Sequence, residues 1–593
     1  MASDLKTASA GGRRGFLKTS AGVALAGTLF DTAFGTAQAQ TPPPAPAPVK
    51  TRTGLNILFV FTDQERYHAS WPKGLTLPGH ERLQKSGVTF TNHQCPATMC
   101  TSSRSVMLTG LQTADNGMFE NLDVPWMHDL STDHPTVGHM LRKAGYYTAY
   151  KGKWHLSRDF DTHSIEKFMT PGMERYGFAD NFSPGDLIGH TLGGYSFDQI
   201  TAGSAVNWLR TKGRSLSDDS KPWCMFVGFV NPHDVMYFNT DAPGENVQDT
   251  GKLRLRAARA PEHALYKASW DIAIPSSLRQ PFDAPGRPRA HGEFDHCWDY
   301  ILGNVPLEDA RWKRFNDYYL NCIRNVDQSL EIILAELDAL RLAETTIVIF
   351  TSDHGEMAGA HGLRGKGPFA YRESNHLPFY VVHPDVKGGQ QCKSMSGHID
   401  FAPTLLSLAG AKPDQAASLA GRSLPGKDLA PLLSNPGSQA IDAARPATLF
   451  TYSGLASNDG GVFDFAAKAV MAGKDPKAEA KRVGYKPDLK KRGHVRSAFD
   501  GRYRFTRYFS PLDHNSPATL DELFKWNDVE LYDLAGDPGE MTNLASDRAR
   551  YADLLMTMNG KLEALIKAEI GKDDGRELPD IPNVTWGVDK VDL

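Results

Sequence analysis

The chain has 593 residues, of which 40% are hydrophobic and 23% charged, and its formal net charge at pH 7 is −4. This composition is typical of a globular protein that is long enough to bury a large core. The slightly negative charge excludes a general electrostatic attraction to nucleic acid or to an anionic membrane. The six cysteines form no CxxC pair and no zinc-finger spacing, and do not suggest a disulfide framework.

The N-terminal segment has the three parts of an export signal. The twin-arginine pattern lies in Gly12–Lys18, a modest apolar segment follows at Ala21–Phe30, and Ala37–Ala39 supplies small residues for cleavage. We therefore predict that residues 1–39 are a twin-arginine signal peptide, that the twin-arginine translocase is a partner, and that the mature protein is periplasmic or secreted. The apolar segment is too short for a permanent membrane span. Residues 40–53 are predicted to be a Pro-rich linker.

The mature fold begins with a continuous apolar run, Asn56–Thr62, which predicts a strand buried on both faces, as in a parallel sheet. Asp63 and Gln64 follow directly. A carboxylate at the carboxyl end of a buried parallel strand lies where α/β sheets bind their ligands. An aspartate that only caps the next turn is the alternative interpretation of this position.

The segment Cys100–Gly110 predicts a helix start, because small hydroxylated residues precede an apolar run and a glycine closes it. Cys100 then lies near the helix N-terminus, where free N–H groups and the helix dipole favour an anion. Arg104, one turn later on the same face, is placed to bind that anion. The alternative is a buried structural cysteine with a surface arginine nearby.

Two further predicted strands lead to chemically active residues. Tyr146–Tyr150 precedes Lys153 and His155, and Trp223–Val230 precedes His233. In an extended chain, residues two apart point the same way, so we expect Lys153 and His155 to reach one oxyanion. The lysine would supply charge and the histidine would carry a proton. A basic surface turn and a structural histidine are the alternatives.

A third strand-end group follows the β-rich run Thr345–Thr351, where Asp353 and His354 stand. Asp63 and Asp353 each end a buried strand, so at one sheet edge they can share a cation. Oxygen ligands favour Ca or Mg, and a histidine ligand also suits Mn. Lys366 stands between two glycines that allow it to approach a ligand closely, although such a segment is often only a solvated loop.

Buried strands alternate with helical segments such as Phe315–Leu342 along most of the chain. This alternation predicts an α/β fold, a three-layer sandwich with a large, mostly parallel central sheet. We place this catalytic domain at residues 54–441. The sequence changes in character from about residue 442, and we predict a smaller C-terminal α+β subdomain over residues 442–593.

Taken together, these motifs resemble those of the sulfatase family, the formylglycine-dependent enzymes of the alkaline phosphatase superfamily. Residues 100–110 resemble the sulfatase signature, and residues 145–156 resemble its second signature. Additional similarity lies at 56–64, 232, 353–373 and 531–544, in family order. Three positions depart from the usual form, which has Pro at Ser102, a small residue at Lys151 and often an aspartate at Gln64.

The resemblance implies hydrolysis of sulfate esters through formylglycine, made from Cys100 by a formylglycine-generating enzyme, together with one divalent metal ion. Calcium is the family default, with Mn and Mg as alternatives. The implied metal ligands are Asp63, Gln64, Cys100, Asp353 and His354. The implied catalytic residues are Cys100 as nucleophile, Arg104 as its orienting group, Lys153 and Lys366 as sulfate-binding cations, His155 as base and His233 at the leaving group.

The substrate is expected to be a sulfated small molecule or saccharide. Its pocket is expected to include residues near Tyr67, His68 and Trp71 and parts of the irregular segment Phe238–Glu308. Asp-Gln at 63–64 occurs in members similar to choline-sulfatases and in members similar to phosphonate monoester hydrolases. A phosphonate monoester or phosphodiester hydrolase on the same scaffold therefore stays open. A non-catalytic anion-binding protein, in which Cys100 stays a thiol, is the third hypothesis.

Overall fold

The computed structural model of the chain describes residues 51–160, 171–183, 190–248, 257–581 and 584. The predicted signal peptide, residues 1–39, lies outside this range, and so does the predicted linker except for residues 51–53. In the described ranges, no helix combines the length and the apolar character needed to cross a membrane.

A large sheet contains nine of the strands in the described residues: β1 (Asn56–Asp63), β2 (Val88–Gln94), β3 (Tyr147–Gly152), β4 (Ala179–Phe182), β5 (Trp223–Pro232), β6 (Thr346–Ser352), β7 (His376–Leu377), β8 (Phe379–Val382) and β9 (Gln390–Gly397). Their order is β4-β3-β5-β1-β6-β8-β2-β7, with β9 beside β2. The neighbours from β4 to β6 all pair in parallel, whereas β8 is antiparallel to both β6 and β2. The predicted mostly parallel sheet is therefore confirmed.

The helices of the described residues are α1 (Pro78–Ser86), α2 (Cys100–Thr109), α3 (Thr113–Asn116), α4 (Val137–Lys143), α5 (Gly193–Trp208), α6 (Arg214–Asp218), α7 (Ala290–Leu302), α8 (Asp309–Ala339), α9 (Arg372–Asn375), α10 (Phe401–Leu408), α11 (Pro413–Ala420), α12 (Gly461–Met471), α13 (Pro476–Val483), α14 (Leu520–Trp526) and α15 (Ala552–Glu569). Those around the large sheet cover both of its faces, and strand β1 shows how. Phe59 and Phe61 point into a core shared with α2, α4 and α10, whereas Leu58 and Val60 point into a core shared with α5 and α8. This alternation confirms the three-layer sandwich.

A second, smaller sheet follows: β10 (Thr448–Tyr452), β11 (His494–Phe499), β12 (Tyr503–Phe509) and β13 (Asp528–Asp533), paired antiparallel in that order. Helix α15 packs on it through Leu555 and Leu562, which share a core with Phe505 and Leu531. The smaller α+β unit is thus present, while the domain boundary at 441/442 stays a prediction.

Helix α7 is the main element that sequence reasoning missed, because the segment Phe238–Glu308 was expected to be irregular. The segment is rich in Pro, Arg and His, and among these residues the single apolar stripe of α7 is difficult to recognise. Phe294, Trp298 and Leu302 recur at a spacing of four and are all buried. Burial of this stripe against the rest of the fold is what makes the helix stable.

Candidate active site

The predicted site residues come together at the carboxyl ends of four adjacent strands. Asp63 ends β1, Lys153 follows β3, His233 follows β5, and Asp353 follows β6. Strands β3, β5, β1 and β6 are neighbours in the parallel part of the sheet. Parallel strands bring their carboxyl ends to one edge, so these side chains meet there.

Cys100 is the first residue of α2 and lies at the centre of this group. Its side chain is buried, with Sγ 3.2 Å from His354 Nε2, 3.6 Å from Asp63 Oδ1 and 3.8 Å from Lys153 Nζ. The N-cap residue is Met99, which makes no side-chain cap, so the hydroxyl residues Thr101 to Ser103 lie inside the helix and do not cap it. The helix start at Cys100 and its end before Gly110 agree with the prediction.

Arg104 lies one turn after Cys100 on α2 and binds both aspartates. Its Nη2 donates to Asp63 Oδ2 at 2.9 Å, its Nε donates to Asp353 Oδ2 at 2.8 Å, and its Nη1 donates to the carbonyl of Lys153 at 2.8 Å. Lys153 Nζ also lies 2.7 Å from Asp63 Oδ2. The Oδ2 atoms of both carboxylates are therefore held by cations, which fixes the direction of the opposite oxygens.

The opposite oxygens of these carboxylates face a common space. Oδ1 of Asp63 and Oδ1 of Asp353 each lie 3.5 Å from His354 Nε2. One ligand atom from each of Asp63, Cys100, Asp353 and His354 lies within 4.8 Å of the others. Burial lowers the pKa of His354, which keeps the imidazole neutral, as a metal ligand must be. The residues therefore fit one divalent cation.

Gln64 lies beside this group and adopts φ 75°, in the left-handed region. Its Oε1 accepts a hydrogen bond from Lys366 Nζ at 2.6 Å, and its Nε2 donates to a carboxylate oxygen of Glu356. Glu356 also accepts from the backbone N–H of Gly365 at 2.7 Å. Gln64 thus holds Lys366 at the site, and its predicted role as a metal ligand stays a prediction.

Lys153 and His155 both reach the site, but the prediction that the chain joining them is extended was wrong. Strand β3 ends at Gly152, and His155 has φ 56°, so the chain between them is not extended. Gly152 has φ 86°, and a Cβ there would lie 2.0 Å from the carbonyl oxygen of Gly228. Only glycine fits this close approach. The turn that it permits carries Lys153 and His155 inward.

His155 and His233 both act on the side chain of Cys100. His155 lowers the pKa of the Cys100 thiol, and Cys100 raises the pKa of His233 against the larger lowering effect of burial. His155 Nε2 also lies 3.5 Å from Asp123 Oδ1. Sequence reasoning missed Asp123 because its segment contains no motif and meets His155 only through tertiary packing. Glu356 was also missed, although it stands two residues after His354 at the same strand end.

The charges around Cys100 favour an anion at its Sγ position. Burial and the charge of Asp63 raise the pKa of this thiol. Lys153, Lys366 and a hydrogen bond with His155 outweigh those effects and lower the pKa to about 5. The site therefore stabilises negative charge at the Sγ position of Cys100.

The two aspartates differ in their electrostatics. Burial disfavours ionisation of Asp63, but Lys153 and His233, followed by Arg104, hold its pKa well below the usual range. Burial and the charge of Asp63 raise the pKa of Asp353 to about 6. For His233, burial and the two lysines lower the pKa. Asp63 is thus the more readily ionised carboxyl group of the pair.

A cavity of about 200 Å³ adjoins the site, lined in part by Met99, Asp123 and Tyr237 and by α7. Part of the segment Phe238–Glu308 thus lines this cavity through α7, and its role in the substrate pocket stays a prediction. The role of the residues near Tyr67 also stays a prediction. His68 and Trp71 line a separate cavity of about 260 Å³, and Tyr67 stacks on His376.

Comparison with known proteins agrees with this geometry. The family model of the sulfatases matches residues 55–411. An N-acetylglucosamine-6-O-sulfatase of Bacteroides thetaiotaomicron is 28% identical over 435 residues, which cover 67% of this chain and 74% of that protein. The choline-sulfatase of Rhizobium meliloti is 27% identical over 378 residues, 60% of this chain and 67% of that protein.

Among solved structures, a phosphonate monoester hydrolase from Silicibacter pomeroyi shares the fold. Its TM-score is 0.59 at 19% identity, and the match covers 87% of this chain and 96% of that one. The family match spans more than half of the chain, and it contains each strand end from which the site is built. The chain therefore belongs to the sulfatase family, within the alkaline phosphatase superfamily, and is a sulfuric ester hydrolase.

Proposed function

We propose that this sulfuric ester hydrolase uses formylglycine derived from Cys100 and one divalent metal ion. Asp63, Asp353 and His354 would hold the ion together with residue 100, and Gln64 is a further candidate ligand. The observation that carries the proposal is the position of Cys100 Sγ, buried between His354 at 3.2 Å and Lys153 at 3.8 Å. This function best explains why a cysteine at the start of a helix is enclosed by candidate metal ligands and by cationic side chains.

When present, the metal supplies Lewis-acid neutralisation of the sulfate oxygens and formylglycine supplies a hydroxyl nucleophile. Calcium suits the two carboxylate oxygens best, with Mn and Mg as alternatives. Lys153 and Lys366, both fully buried, hold the remaining charge of the sulfate group. Arg104 keeps both aspartates in place, and through them the nucleophile.

The two histidines divide the proton transfers. Burial and the nearby lysines lower the pKa of His233, so any proton that it holds is readily given to the departing oxygen. His155 contacts residue 100 and, through Nε2, Asp123. This arrangement suits a base that would take a proton from the second hydroxyl of the formylglycine hydrate, with the Asp123 carboxylate near enough to stabilise the positive charge on the imidazole.

Maturation and location belong to the same proposal. A formylglycine-generating enzyme would convert Cys100, and the twin-arginine translocase would export the folded protein to the periplasm or outside the cell. The twin-arginine pattern at Gly12–Lys18 supports export. Since this route carries folded chains, conversion would precede export.

The substrate would be a sulfated small molecule or saccharide, as the names of the relatives suggest. The second candidate is a phosphonate monoester or phosphodiester hydrolase, favoured by Gln64 in place of an aspartate and by the fold shared with such an enzyme. A third, an anion-binding protein without catalysis, requires that Cys100 stays a thiol.

A matched panel of sulfate, phosphonate and phosphodiester substrates tests the proposal. We expect kcat/KM to be highest for a member of an aryl, choline and carbohydrate sulfate series. Removal of divalent metal by a chelator should abolish turnover, and calcium should restore it. A higher kcat/KM for the phosphodiester or phosphonate would favour the second candidate. A Cys100 peptide that stays unconverted in the native host, together with no turnover of any substrate, would favour the third.

A further inference from the structure

The cavity beside the active site touches the groups that surround the leaving group. Its lining residue Met99 precedes Cys100, and Asp123 contacts His155 at 3.5 Å. Met236 Sδ lies 3.6 Å from Lys366 Nζ, and the ring of Tyr237 lies 5.6 Å from that of His233. The cavity therefore lies next to the position that the proposed function gives to the leaving alcohol.

One wall of this cavity is a single apolar face of α7. Phe294, Cys297, Trp298 and Ile301 all line it, and their spacing of three and four residues puts them on one side of the helix. Phe463, from α12, adds a further aromatic ring to the lining. The wall offers large apolar contacts to a ligand.

Three of the polar side chains that line the cavity are bound to the protein itself. Glu120 accepts hydrogen bonds from Trp126 Nε1 at 2.9 Å and from the N–H of Ala456 at 2.9 Å. The hydroxyl groups of Tyr452 and Ser457 pair with each other at 2.8 Å. Among the described residues, the indole N–H of Trp298 has no partner and can serve one hydroxyl, so most hydroxyls of a sugar ring would lose water without gaining equivalent partners.

The volume of the cavity indicates how much of the alcohol it can enclose. At about 200 Å³, it is smaller than the roughly 300–1,000 Å³ typical of sites for drug-sized ligands. A single ring is therefore better suited to it than an oligosaccharide.

We propose that the alcohol portion of the substrate is one compact apolar ring or a group of similar size, and that the α7 face formed by Phe294, Trp298 and Ile301 determines this preference. This inference rests on the proposed function for the identity of the sulfate ester. It separates this chain from relatives whose names specify a sugar or choline.

Two sulfates of nearly equal shape test the preference. Cyclohexylmethyl sulfate and glucose 6-sulfate each carry a six-membered ring on a primary alkyl sulfate, so their leaving groups are chemically alike. Affinity is measured by calorimetry on the Cys100→Ala protein, which lacks the nucleophile, and kcat/KM is measured on the converted wild type. We expect cyclohexylmethyl sulfate to bind at least about tenfold more tightly, since each unpaired hydroxyl costs roughly a factor of ten.

Variants of the wall assign the preference to α7. Ile301→Asn, in the Cys100→Ala background, should reduce the affinity ratio severalfold, and Cys297→Ser, on the same face of α7, gives a second measurement if that variant does not fold. Ile332→Asn is the matched control, because Ile332 is 45% exposed on α8 and lies outside the lining. Equal or tighter binding of glucose 6-sulfate, or an unchanged ratio in the folded wall variants, would overturn the inference. If the ratio holds but the converted wild type hydrolyses neither ester, the cavity preference is supported and the proposed function is contradicted.

Discussion

At the scale of single residues, Arg104 determines the geometry of the site. Its guanidinium group donates to two carboxylates and one carbonyl at 2.8 to 2.9 Å, and its side chain is 1% exposed. A planar group with several fixed donors can satisfy three acceptors at once, whereas an ammonium group at the end of a lysine cannot reach them all. The directions of Asp63 and Asp353 therefore depend on arginine specifically.

Arg104→Lys tests this dependence. The variant keeps the charge but loses the fork that aligns both aspartates, so we expect kcat/KM for a sulfate ester to fall about a hundredfold. Arg214→Lys is the control, since Arg214 pairs with Asp218 on the surface. Activity of Arg104→Lys equal to that of the control would show that the alignment is unimportant.

At the scale of elements, what could be predicted from the sequence follows from local pattern. Strand β1 was predictable because Asn56–Thr62 is uniformly apolar, and the start of α2 at Cys100 followed from its composition. The turn after β3 was not predictable, because it depends on how closely Gly152 approaches Gly228 on the neighbouring strand. Asp123 and Glu356 reach the site through tertiary contacts, which no local pattern in the sequence reveals.

A buried ion cluster joins α1 to α8 next to the strand end that carries Asp63. His80 Nδ1 lies 2.6 Å from Asp327 Oδ1, and its Nε2 lies 2.9 Å from Glu65 Oε1. Burial lowers the pKa of His80, but Glu65 and Asp327 raise it from 6.5 to about 10. The imidazolium of His80 therefore connects α1 and α8 to the segment that follows β1.

His80→Gln tests the cluster. Because the pKa in the folded state exceeds the unfolded value, the stabilisation is fully present below pH 6.5 and is lost as the pH rises through 10. We expect the variant to lower the free energy of unfolding by roughly 3 kcal/mol at pH 6 and by much less at pH 10, measured by urea titration. His296→Gln, an exposed position on α7, serves as control. An equal loss at both pH values would refute a charged His80.

At the scale of the whole molecule, the second sheet takes part in the active site. Tyr371, just after the loop that carries Lys366, donates to Glu530 Oε1 on β13 at 2.8 Å. Arg445 pairs with Glu569 on α15 at 2.9 Å and with Asp400 before α10. Tyr452 on β10 lines the cavity beside the active site. The C-terminal unit therefore contacts the segment that follows Lys366 and forms part of this cavity.

If Cys100 becomes the formylglycine nucleophile, the rate of hydrolysis must depend on its conversion. Peptide mass spectrometry combined with a rate measurement tests this dependence. Protein is made with graded amounts of a formylglycine-generating enzyme, and the converted fraction of the Cys100 peptide is measured beside the rate of sulfate-ester hydrolysis. We predict that the rate rises in proportion to the converted fraction and extrapolates to zero for the unconverted thiol. Full activity in protein whose Cys100 peptide contains only cysteine would contradict the account.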